Sequence, residues 1–228
     1  MPDFSLEKES HYKNIFMVGI DEAGRGSWAG PIVATACWID YNNYASLPLE
    51  INDSKKLSAN KRKKIILSLN NNVKYSSGIS TAKEIDNYGL TVANFMAMKR
   101  SLYSLTHFFN KKFIKKTYKI NVYVDGKYTP NFSNIDITSN ESKIIKLPFH
   151  NTYSIVKGDS KSKTIALASI IAKETRDSIM RNYSLKYPKY NFNNHFGYGT
   201  AKHNAALLEF GLLPIHRKSF KPMKTIYS

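Results

Sequence analysis

The distribution of apolar residues predicts three β-strands in the first third of the chain. Two apolar runs, residues 15–20 and 31–39, are joined by a glycine-rich turn, and alternating residues over 73–79 indicate a third strand. Strands that follow one another in this way are typical of an antiparallel meander. We therefore expect the chain to begin with an antiparallel sheet.

Apolar residues at helical spacing predict helices between and after these strands. Ser58 is placed to cap a basic helix over 59–69, and a longer helix is expected over 91–109. Residues 163–183 form another helical pattern, rich in small residues that allow close packing against a sheet, and a short helix is expected over 201–210.

The second half of the chain adds strands that alternate with helices. Residues 121–124 form a short apolar segment typical of a strand, and residues 153–156 lead into Lys157-Gly158-Asp159. Residues 127–152 are rich in Asn, Ser and Pro, include one strand-like run at 142–147, and indicate an extended or inserted connection. Strands grouped early and then alternating with helices predict an α/β fold with a mixed β-sheet flanked by helices.

The length of 228 residues fits one medium-sized domain. The chain has no internal repeat and no clear linker before about residue 190. We expect a main domain over residues 1–190, with residues 191–228 a C-terminal helical and loop segment of the same compact unit.

The charge of the chain points to a polyanionic partner. Lys and Arg number 34 against 17 Asp and Glu, so the formal net charge is +17. A balance of this sign and size is typical of proteins that bind nucleic acid or another phosphate-rich surface.

One cysteine, Cys37, lies within an apolar run, so no disulfide can form within the chain. This favours a reducing compartment. Residues 1–14 lack the apolar core of a signal peptide, and no stretch approaches the roughly 20 apolar residues of a membrane span. We expect a cytoplasmic protein without a membrane partner.

Carboxylates follow the predicted strands at three places. Asp21 and Glu22 follow the first strand, Asp125 follows 121–124, and Asp159 lies in the turn before a helix. An Asp-Glu pair alone is more often a turn that ends a strand. Four acids brought together in one sheet, however, would repel one another unless cations neutralise them. Ligands of oxygen alone favour Mg²⁺ or Mn²⁺, and metal-assisted phosphodiester hydrolysis is the chemistry that follows.

Five motifs in this order resemble the ribonuclease HII family over about residues 15–220. They are D-E-A-G-R-G-S-W-A-G-P (21–31), D-S-K-K-L-S (53–58), V-D-G (124–126), K-G-D-S (157–160) followed by I-A-L-A-S-I-I-A-K-E-T-R-D (165–177), and G-Y-G-T-A-K-H (197–203). The resemblance implies a ribonuclease H-like catalytic core. It also implies endonucleolytic cleavage on the 5′ side of a ribonucleotide, leaving 3′-hydroxyl and 5′-phosphate ends. The substrates implied are RNA–DNA hybrids and single ribonucleotides embedded in duplex DNA, which gives a role in ribonucleotide excision.

The resemblance also implies roles for individual residues. The four acids named above become catalytic metal ligands for two Mg²⁺ or Mn²⁺ ions. Main-chain groups of the Gly24–Gly26 turn would read the ribose 2′-hydroxyl, which is what distinguishes RNA from DNA at a single position. Tyr198 would stack on or bond near the sugar at the RNA–DNA junction, and His203 would orient its loop. The residues expected to contact substrate are Gly24, Arg25, Gly26, Ser54, Lys55, Lys56, Tyr198 and Arg217.

Three features depart from the family pattern. Gly199 follows Tyr198 where the family usually has proline, and Ser27-Trp28 replaces a commoner proline-leucine pair. The gap from Asp125 to Asp159 is longer than the family usually has. Residues 127–152 are therefore interpreted as an insertion. A surface loop is the favoured interpretation of this insertion, ahead of a functional element.

Two basic runs are candidates for phosphate contact, with a solvated helix face as the alternative. The first is Lys55, Lys56, Lys61, Arg62, Lys63 and Lys64; the second is Lys99, Arg100, Lys111, Lys112, Lys115, Lys116 and Lys119. On the helix after Asp159, Lys173, Arg176 and Asp177 either support the acidic site or form an ordinary intrahelical ion pair.

Other functions stay open on the sequence alone. A DNA-specific junction resolvase would keep the carboxylates but has no use for a sensor of the 2′-hydroxyl, and a non-catalytic nucleic-acid-binding protein explains only the charge. Ribonuclease HIII usually has a separate N-terminal domain, for which the 14 residues before the first predicted strand are too few. We expect a monomer. A sliding-clamp contact through the C-terminal tail has no clear motif in residues 223–228 to support it.

Overall fold

A mixed five-stranded β-sheet forms the centre of the fold, in the order β3-β2-β1-β4-β5. The structure, a computed structural model, describes residues 1–69, 71, 73–113, 119–132 and 151–226. The strands are β1 (Ile15–Ala23), β2 (Ile32–Ile39), β3 (Val73–Ser80), β4 (Lys119–Asp125) and β5 (Asn151–Ile155). Pairing is antiparallel from β1 through β3 and parallel from β1 to β4 and from β4 to β5. The predicted early meander and mixed α/β sheet are confirmed; the strand-like run 142–147 lies outside the described residues.

The first strand is longer than its apolar pattern predicts. The apolar run ends at residue 20, but β1 continues to Ala23 because Asp21 pairs with Thr35 and Glu22 with Ala34 across the sheet. Main-chain pairing with a fully buried neighbour, β2, outweighs the polar character of these two side chains. The acidic pair therefore lies within the strand and not after it. Its main chain is held in place by pairing with β2.

Eight helices occur among the described residues. They are α1 (Ser5–Tyr12), α2 (Ala59–Leu67), α3 (Ala82–Tyr88), α4 (Leu90–Phe113), α5 (Lys163–Lys186), α6 (Phe192–His195), α7 (Ala201–Phe210) and α8 (Lys221–Ile226). Ser58 accepts a hydrogen bond from the Lys61 main chain, as predicted for an N-cap. No helix in the described part of the chain is long and apolar enough to cross a membrane.

The two long helices cover opposite faces of the sheet. Trp38 of β2 packs with Phe109 of α4 on one face, while its neighbour Cys37 packs with Leu167 of α5 on the other. Alternate residues of a strand point to opposite faces, so β2 is apolar throughout because both of its faces are covered. Close approach is possible because α5 contributes small buried residues, as the sequence predicts.

The N-terminal helix fixes the start of α5. The buried Glu7 carboxylate accepts hydrogen bonds from the Ser162 hydroxyl at 2.6 Å and from the Thr164 main chain at 2.9 Å. It thus satisfies a main-chain donor in the first turn of a helix that lies far away in sequence. Burial raises the pKa of Glu7, although these hydrogen bonds oppose the shift. Helix α1 is not predicted by the sequence pattern because most of its residues are polar and exposed.

The C-terminal residues pack on α5 and on the loop between β1 and β2. A third apolar cluster joins Met180 of α5 and Ala29 of the loop to Phe192, Leu207 and Ile215. The C-terminal segment therefore contacts the main part of the fold through a core of its own, next to the acidic strand ends.

Candidate active site

The four predicted acids come from neighbouring elements. Asp21 and Glu22 lie near the end of β1, and Asp125 ends β4, the strand that runs parallel beside β1. Asp159 lies in a short turn after β5 and before α5. The main-chain N–H of Gly158 donates to the Asp125 carboxylate at 2.6 Å, so this turn is tied directly to the end of β4.

Burial and mutual repulsion dominate the electrostatics of these acids. Burial, followed by the charges of Glu22 and Asp125, raises the pKa of Asp21 well above its usual value. Burial also raises the pKa of Asp125, and the Asp159 charge adds to the rise while the Gly158 N–H opposes it. Burial raises the pKa of Glu22 above its usual value, although the charge of the nearby Arg25 opposes the rise. Carboxylates in such surroundings need a proton or a cation to offset their repulsion.

The chemistry of the acids fits a hard divalent cation. Among the described residues, no group of three or more His, Cys, Asp or Glu side chains is arranged as a metal site. One oxygen of Glu22 is nevertheless buried without a hydrogen-bond partner in the described structure. An unpaired buried carboxylate oxygen is costly, and neighbouring donors that consist only of oxygen suit Mg²⁺ or Mn²⁺.

Two polar side chains beneath the acids are missed by the sequence analysis. Ser169 of α5 lies close enough to Asp21 to lower its pKa, and Asn94 of α4 does the same for Glu22. Ser54 was expected to contact phosphate, but its hydroxyl is buried and lies 2.9 Å from that of Ser169. Ser54 therefore supports the residue under Asp21. Lys55 is exposed and its charge lowers the pKa of Asp125, which places it beside the acids.

The Gly24–Gly26 turn has one crowded and one open position. Gly24 has φ +91°, and a Cβ there would overlap the Arg176 side chain, so both its conformation and its contact require glycine. Gly26 is exposed, and a Cβ there would meet nothing within 4 Å. Arg25 turns back toward the acids, with its guanidinium 3.5 Å from the Glu22 carboxylate.

Arg217 was expected to contact substrate, and its position contradicts this expectation. Its side chain is fully buried, and its guanidinium donates to the carbonyls of Gly24 at 2.7 Å, Arg25 at 2.8 Å and Gly30 at 3.0 Å. Burial and the nearby charge of Arg176 lower its pKa to about 9. The donors of Arg217 are directed at the loop, which leaves the side chain no access to a ligand.

Tyr198 presents a partly exposed ring above two cations. The Arg176 guanidinium carbon lies 5.2 Å and the Lys173 ammonium 5.9 Å from its ring centre, distances typical of cation–π contacts. Lys173 also forms an ion pair with Asp177 at 2.7 Å. The predicted intrahelical ion pair is therefore present, and a role of this helix segment in supporting the acidic site stays a prediction.

Two buried histidines hold the Tyr198 main chain. The Leu213 N–H donates to His216 Nδ1, so neutral His216 carries its proton on Nε2 and donates it to His203 Nε2 at 3.1 Å. His203 Nδ1 then donates to the Tyr198 carbonyl at 3.0 Å, which confirms the predicted role of His203. Burial lowers the pKa of each of these histidines to about 4, so both are neutral near pH 7.

The two departures at Trp28 and Gly199 are in contact. A Cβ at Gly199 would overlap the Trp28 indole, although the glycine itself has no positive φ. The main-chain N–H groups of Trp28 and Ala29 also donate to the Gly197 carbonyl, at 2.8 and 3.1 Å. The indole thus fills the space beside Gly199, and the turn that carries Tyr198 is joined to the glycine-rich loop.

The basic runs do not form continuous surfaces. In the first run Arg62 is buried and pairs with Asp177 at 3.1 Å, whereas its lysines are exposed. In the second run Lys99 is buried and Arg100 pairs with Glu84 at 2.5 Å. Lys115 and Lys116 lie outside the described residues, as do the side chains of Lys111 and Lys112. Among the residues whose side chains are described, the first run keeps five exposed lysines, and one of them, Lys55, acts on the pKa of Asp125.

The sheet order and its helices define the ribonuclease H-like class of α/β nucleases. Ribonuclease H2 from Pyrococcus horikoshii OT3 superimposes with a TM-score of 0.66 at 27% identity, covering 92% of this chain and 96% of that chain. Bst-RNase HIII in complex with Mn²⁺ gives 0.69 at 20% identity, with coverages of 92% and 68%. A chain of the PCNA:RNase HII complex from Archaeoglobus fulgidus gives 0.61 at 21% identity, with coverages of 90% and 95%. The last two similarities concern the fold alone.

Sequence similarity identifies the family within this class. Residues 18–223 match the family Ribonuclease HII. Ribonuclease HII of Ehrlichia ruminantium (strain Welgevonden) is 38% identical over 99% of this chain and 97% of its own length. Ribonuclease HII of Fusobacterium nucleatum subsp. nucleatum is 42% identical over 92% of this chain and 86% of its own. The chain belongs to the ribonuclease HII family and is therefore a ribonuclease H, an endoribonuclease of RNA–DNA hybrids.

The contact between Trp28 and Gly199 predicts coupled mutations. Gly199→Ala should lower cleavage of an RNA–DNA hybrid and destabilise the fold by about 1–3 kcal/mol, because the new methyl group overlaps the indole. Trp28→Leu makes room for this methyl group, so the double variant should lose less than the sum of the single losses. Urea unfolding and initial cleavage rates measure both effects; strictly additive losses would contradict the contact.

Proposed function

We propose that the protein cleaves the phosphodiester bond on the 5′ side of a ribonucleotide, leaving 3′-hydroxyl and 5′-phosphate ends. Its substrates would be RNA–DNA hybrids and single ribonucleotides embedded in duplex DNA, with a role in ribonucleotide excision. One observation carries this proposal: the open glycine turn directly follows the acidic pair, and Arg25 lies 3.5 Å from Glu22. The main-chain groups that could recognise a 2′-hydroxyl therefore lie directly after two of the carboxylates suited to hydrolysis, in the same strand and turn.

The acids would hold divalent cations, Mg²⁺ or Mn²⁺, and two ions during catalysis are proposed. Asp21, Glu22, Asp125 and Asp159 supply only oxygen ligands, and the unpaired oxygen of Glu22 is consistent with such a partner. When bound, two divalent ions activate a water molecule and stabilise the leaving oxygen. The structure of Bst-RNase HIII with Mn²⁺ gives a related fold in which a divalent ion is bound.

The chain's own residues would bind and orient the nucleic acid. Lys55 and Lys56 are exposed, and the charge of Lys55 lowers the pKa of Asp125; both lysines would pair with phosphates near the cut. The exposed face of Tyr198 can stack on a sugar or base, because its opposite face is supported by Arg176 and Lys173. Gly24, Arg25 and Gly26 would recognise the ribose through main-chain groups.

The other proposals concern the setting in which the protein acts. We propose that the protein is a monomer. We also propose that it acts in the cytoplasm, since its single cysteine is a buried free thiol, which suits a reducing compartment. The Archaeoglobus fulgidus complex contains PCNA with RNase HII. In this chain Met223 of α8 is buried in the core, so its side chain is not available as an apolar anchor for a clamp contact.

The rival functions differ in what they require of the turn. A junction resolvase would cut an all-DNA junction and needs no ribonucleotide, while a non-catalytic binding protein would cut nothing.

The decisive substrate is a DNA duplex with one ribonucleotide, compared with an all-DNA duplex and an RNA–DNA hybrid, each with Mg²⁺ or Mn²⁺. We expect incision at the 5′ side of the ribonucleotide and none in DNA alone. No incision at the single ribonucleotide with either metal would exclude the proposal.

Asp125→Asn should abolish cleavage and leave binding largely intact. The asparagine keeps the shape of the side chain but removes the charge that a metal ion needs, at a cost of several kcal/mol or more than about a hundredfold in rate. Gel shift and single-turnover cleavage measure binding and rate. Asp40→Asn is a matched control at the opposite end of β2, where Asp40 only caps a turn. Near-native turnover of Asp125→Asn would show that Asp125 is not a ligand.

Tyr198→Ala should reduce cleavage at a single ribonucleotide more than cleavage of a long hybrid. Loss of one stacking contact costs about 1–3 kcal/mol, roughly tenfold in kcat/KM, at a junction that depends on it. A long hybrid offers many equivalent positions and should lose less. Tyr198→Phe keeps the aromatic ring, so it should cleave the two substrates in the same ratio as the unmodified protein. Equal losses on both substrates with Tyr198→Ala would argue against a role at the junction.

A further inference from the structure

Arg217 binds the inner side of the glycine-rich turn. Its guanidinium donates to three carbonyls, those of Gly24, Arg25 and Gly30, and its main-chain N–H donates to Trp28 at 2.8 Å. Ala29 and His216 form a β-bridge beside this contact. The main chain of residues 216–217 is therefore hydrogen-bonded to the loop. The Arg217 guanidinium in addition binds the carbonyls of two consecutive peptide groups, those of Gly24 and Arg25.

The direction of these carbonyls fixes the direction of the next N–H groups. No peptide bond in the described residues is cis. In a trans peptide the C=O of one residue and the N–H of the next point in opposite directions. Since the carbonyls of Gly24 and Arg25 point inward to Arg217, the N–H groups of Arg25 and Gly26 point outward.

The outer side of the turn is open. Within the part of the chain that the structure describes, neither the Arg25 nor the Gly26 N–H donates a hydrogen bond. A Cβ at Gly26 would meet nothing within 4 Å, and Gly26 is exposed. Two donors thus face outward beside Glu22, which is where the proposed function needs contacts to a ribose.

We propose that Arg217 is a positioning residue for ribonucleotide selection: by binding the Gly24 and Arg25 carbonyls, it aims the Arg25 and Gly26 N–H groups at the 2′-hydroxyl oxygen. This inference deepens the proposed function and rests on it. Arg217 itself touches no substrate. It contributes to the preference for a ribonucleotide over a deoxyribonucleotide, and not to the general attraction for a phosphate backbone.

The neighbouring Lys218 provides a matched control for charge. Lys218 is exposed, whereas Arg217 is fully buried, although both are cations of the same segment. Lys218→Met removes a positive charge from the surface and should weaken binding to any duplex by a similar factor. Arg217→Lys keeps the charge but replaces the planar fork by a single ammonium, which cannot span the same three carbonyls.

The experiment measures selectivity in binding, separately from cleavage. All variants are made in the Asp125→Asn background, and fluorescence anisotropy gives affinities for a duplex with one ribonucleotide and for the same duplex in DNA alone. Arg217→Lys should lower the ratio of the two affinities by about tenfold, the value of one or two hydrogen bonds, while changing the all-DNA affinity less than about twofold. Lys218→Met should leave the ratio unchanged.

Each outcome has a separate meaning. An equal loss on both duplexes with a smaller salt dependence would show that Arg217 binds phosphate, and an unchanged ratio would show that it does not position the turn; either overturns the inference. If Asp125→Asn with an intact Arg217 binds both duplexes equally, ribonucleotide recognition in the proposed function fails instead.

A second measurement applies if Arg217→Lys does not fold. In the Asp125→Asn protein, the amide resonances of Arg25 and Gly26 should shift with the ribonucleotide duplex and shift less with the all-DNA duplex. Equal shifts with the two duplexes would overturn the inference, because the outward N–H groups would then not distinguish the sugars.

Discussion

Two buried guanidinium groups shape the loop on which the rest of the site depends. Arg176 and Arg217 are fully buried, and within the described residues neither forms an ion pair with a carboxylate. Their charges are instead satisfied by main-chain carbonyls and by the Ser27 hydroxyl. Burying a charge is costly unless its donors are all used, so a displaced carbonyl in this loop would leave a donor unsatisfied. The loop between β1 and β2 is therefore held in one shape by electrostatics and not by apolar packing alone.

Positively charged residues have two different roles in this protein, one on the surface and one in the interior. The amino-acid composition does not distinguish between them. The lysines of α2 are exposed, where they suit phosphate contact. Arg62, within the same basic run, is buried between Asp177 and Glu174. Arginine can satisfy several acceptors from one planar group, whereas a lysine ammonium retains more of its hydration. The net charge of +17 thus combines exposed lysines, which suit contact with a polyanion, with buried arginines that join elements of the fold.

The sequence predicted the sheet and its main helices because these elements bury long apolar patterns. It did not predict α1, whose buried Glu7 has a partner only after residues 162–164 are folded beside it. The positions of the four acids followed from strand ends and motifs, but the supporting contacts of Ser169 and Asn94 did not. Such contacts join elements far apart in sequence, and a polar residue within a helix carries no local sign of its partner. Arg217 was expected to contact substrate because its H-R-K-S-F segment resembles the family's substrate-contacting C-terminal segment, and the burial of its side chain is not visible in the sequence.

The position of Arg217 also has a consequence for biosynthesis. Its contact with Gly24 spans 193 residues, so the glycine turn cannot acquire this partner until those residues have been synthesised. The acids of β1 leave the ribosome well before Arg217 does. Contacts of such high sequence separation form late in folding. A nascent chain on the ribosome therefore carries its acidic strand before Arg217 is present to bind the glycine turn.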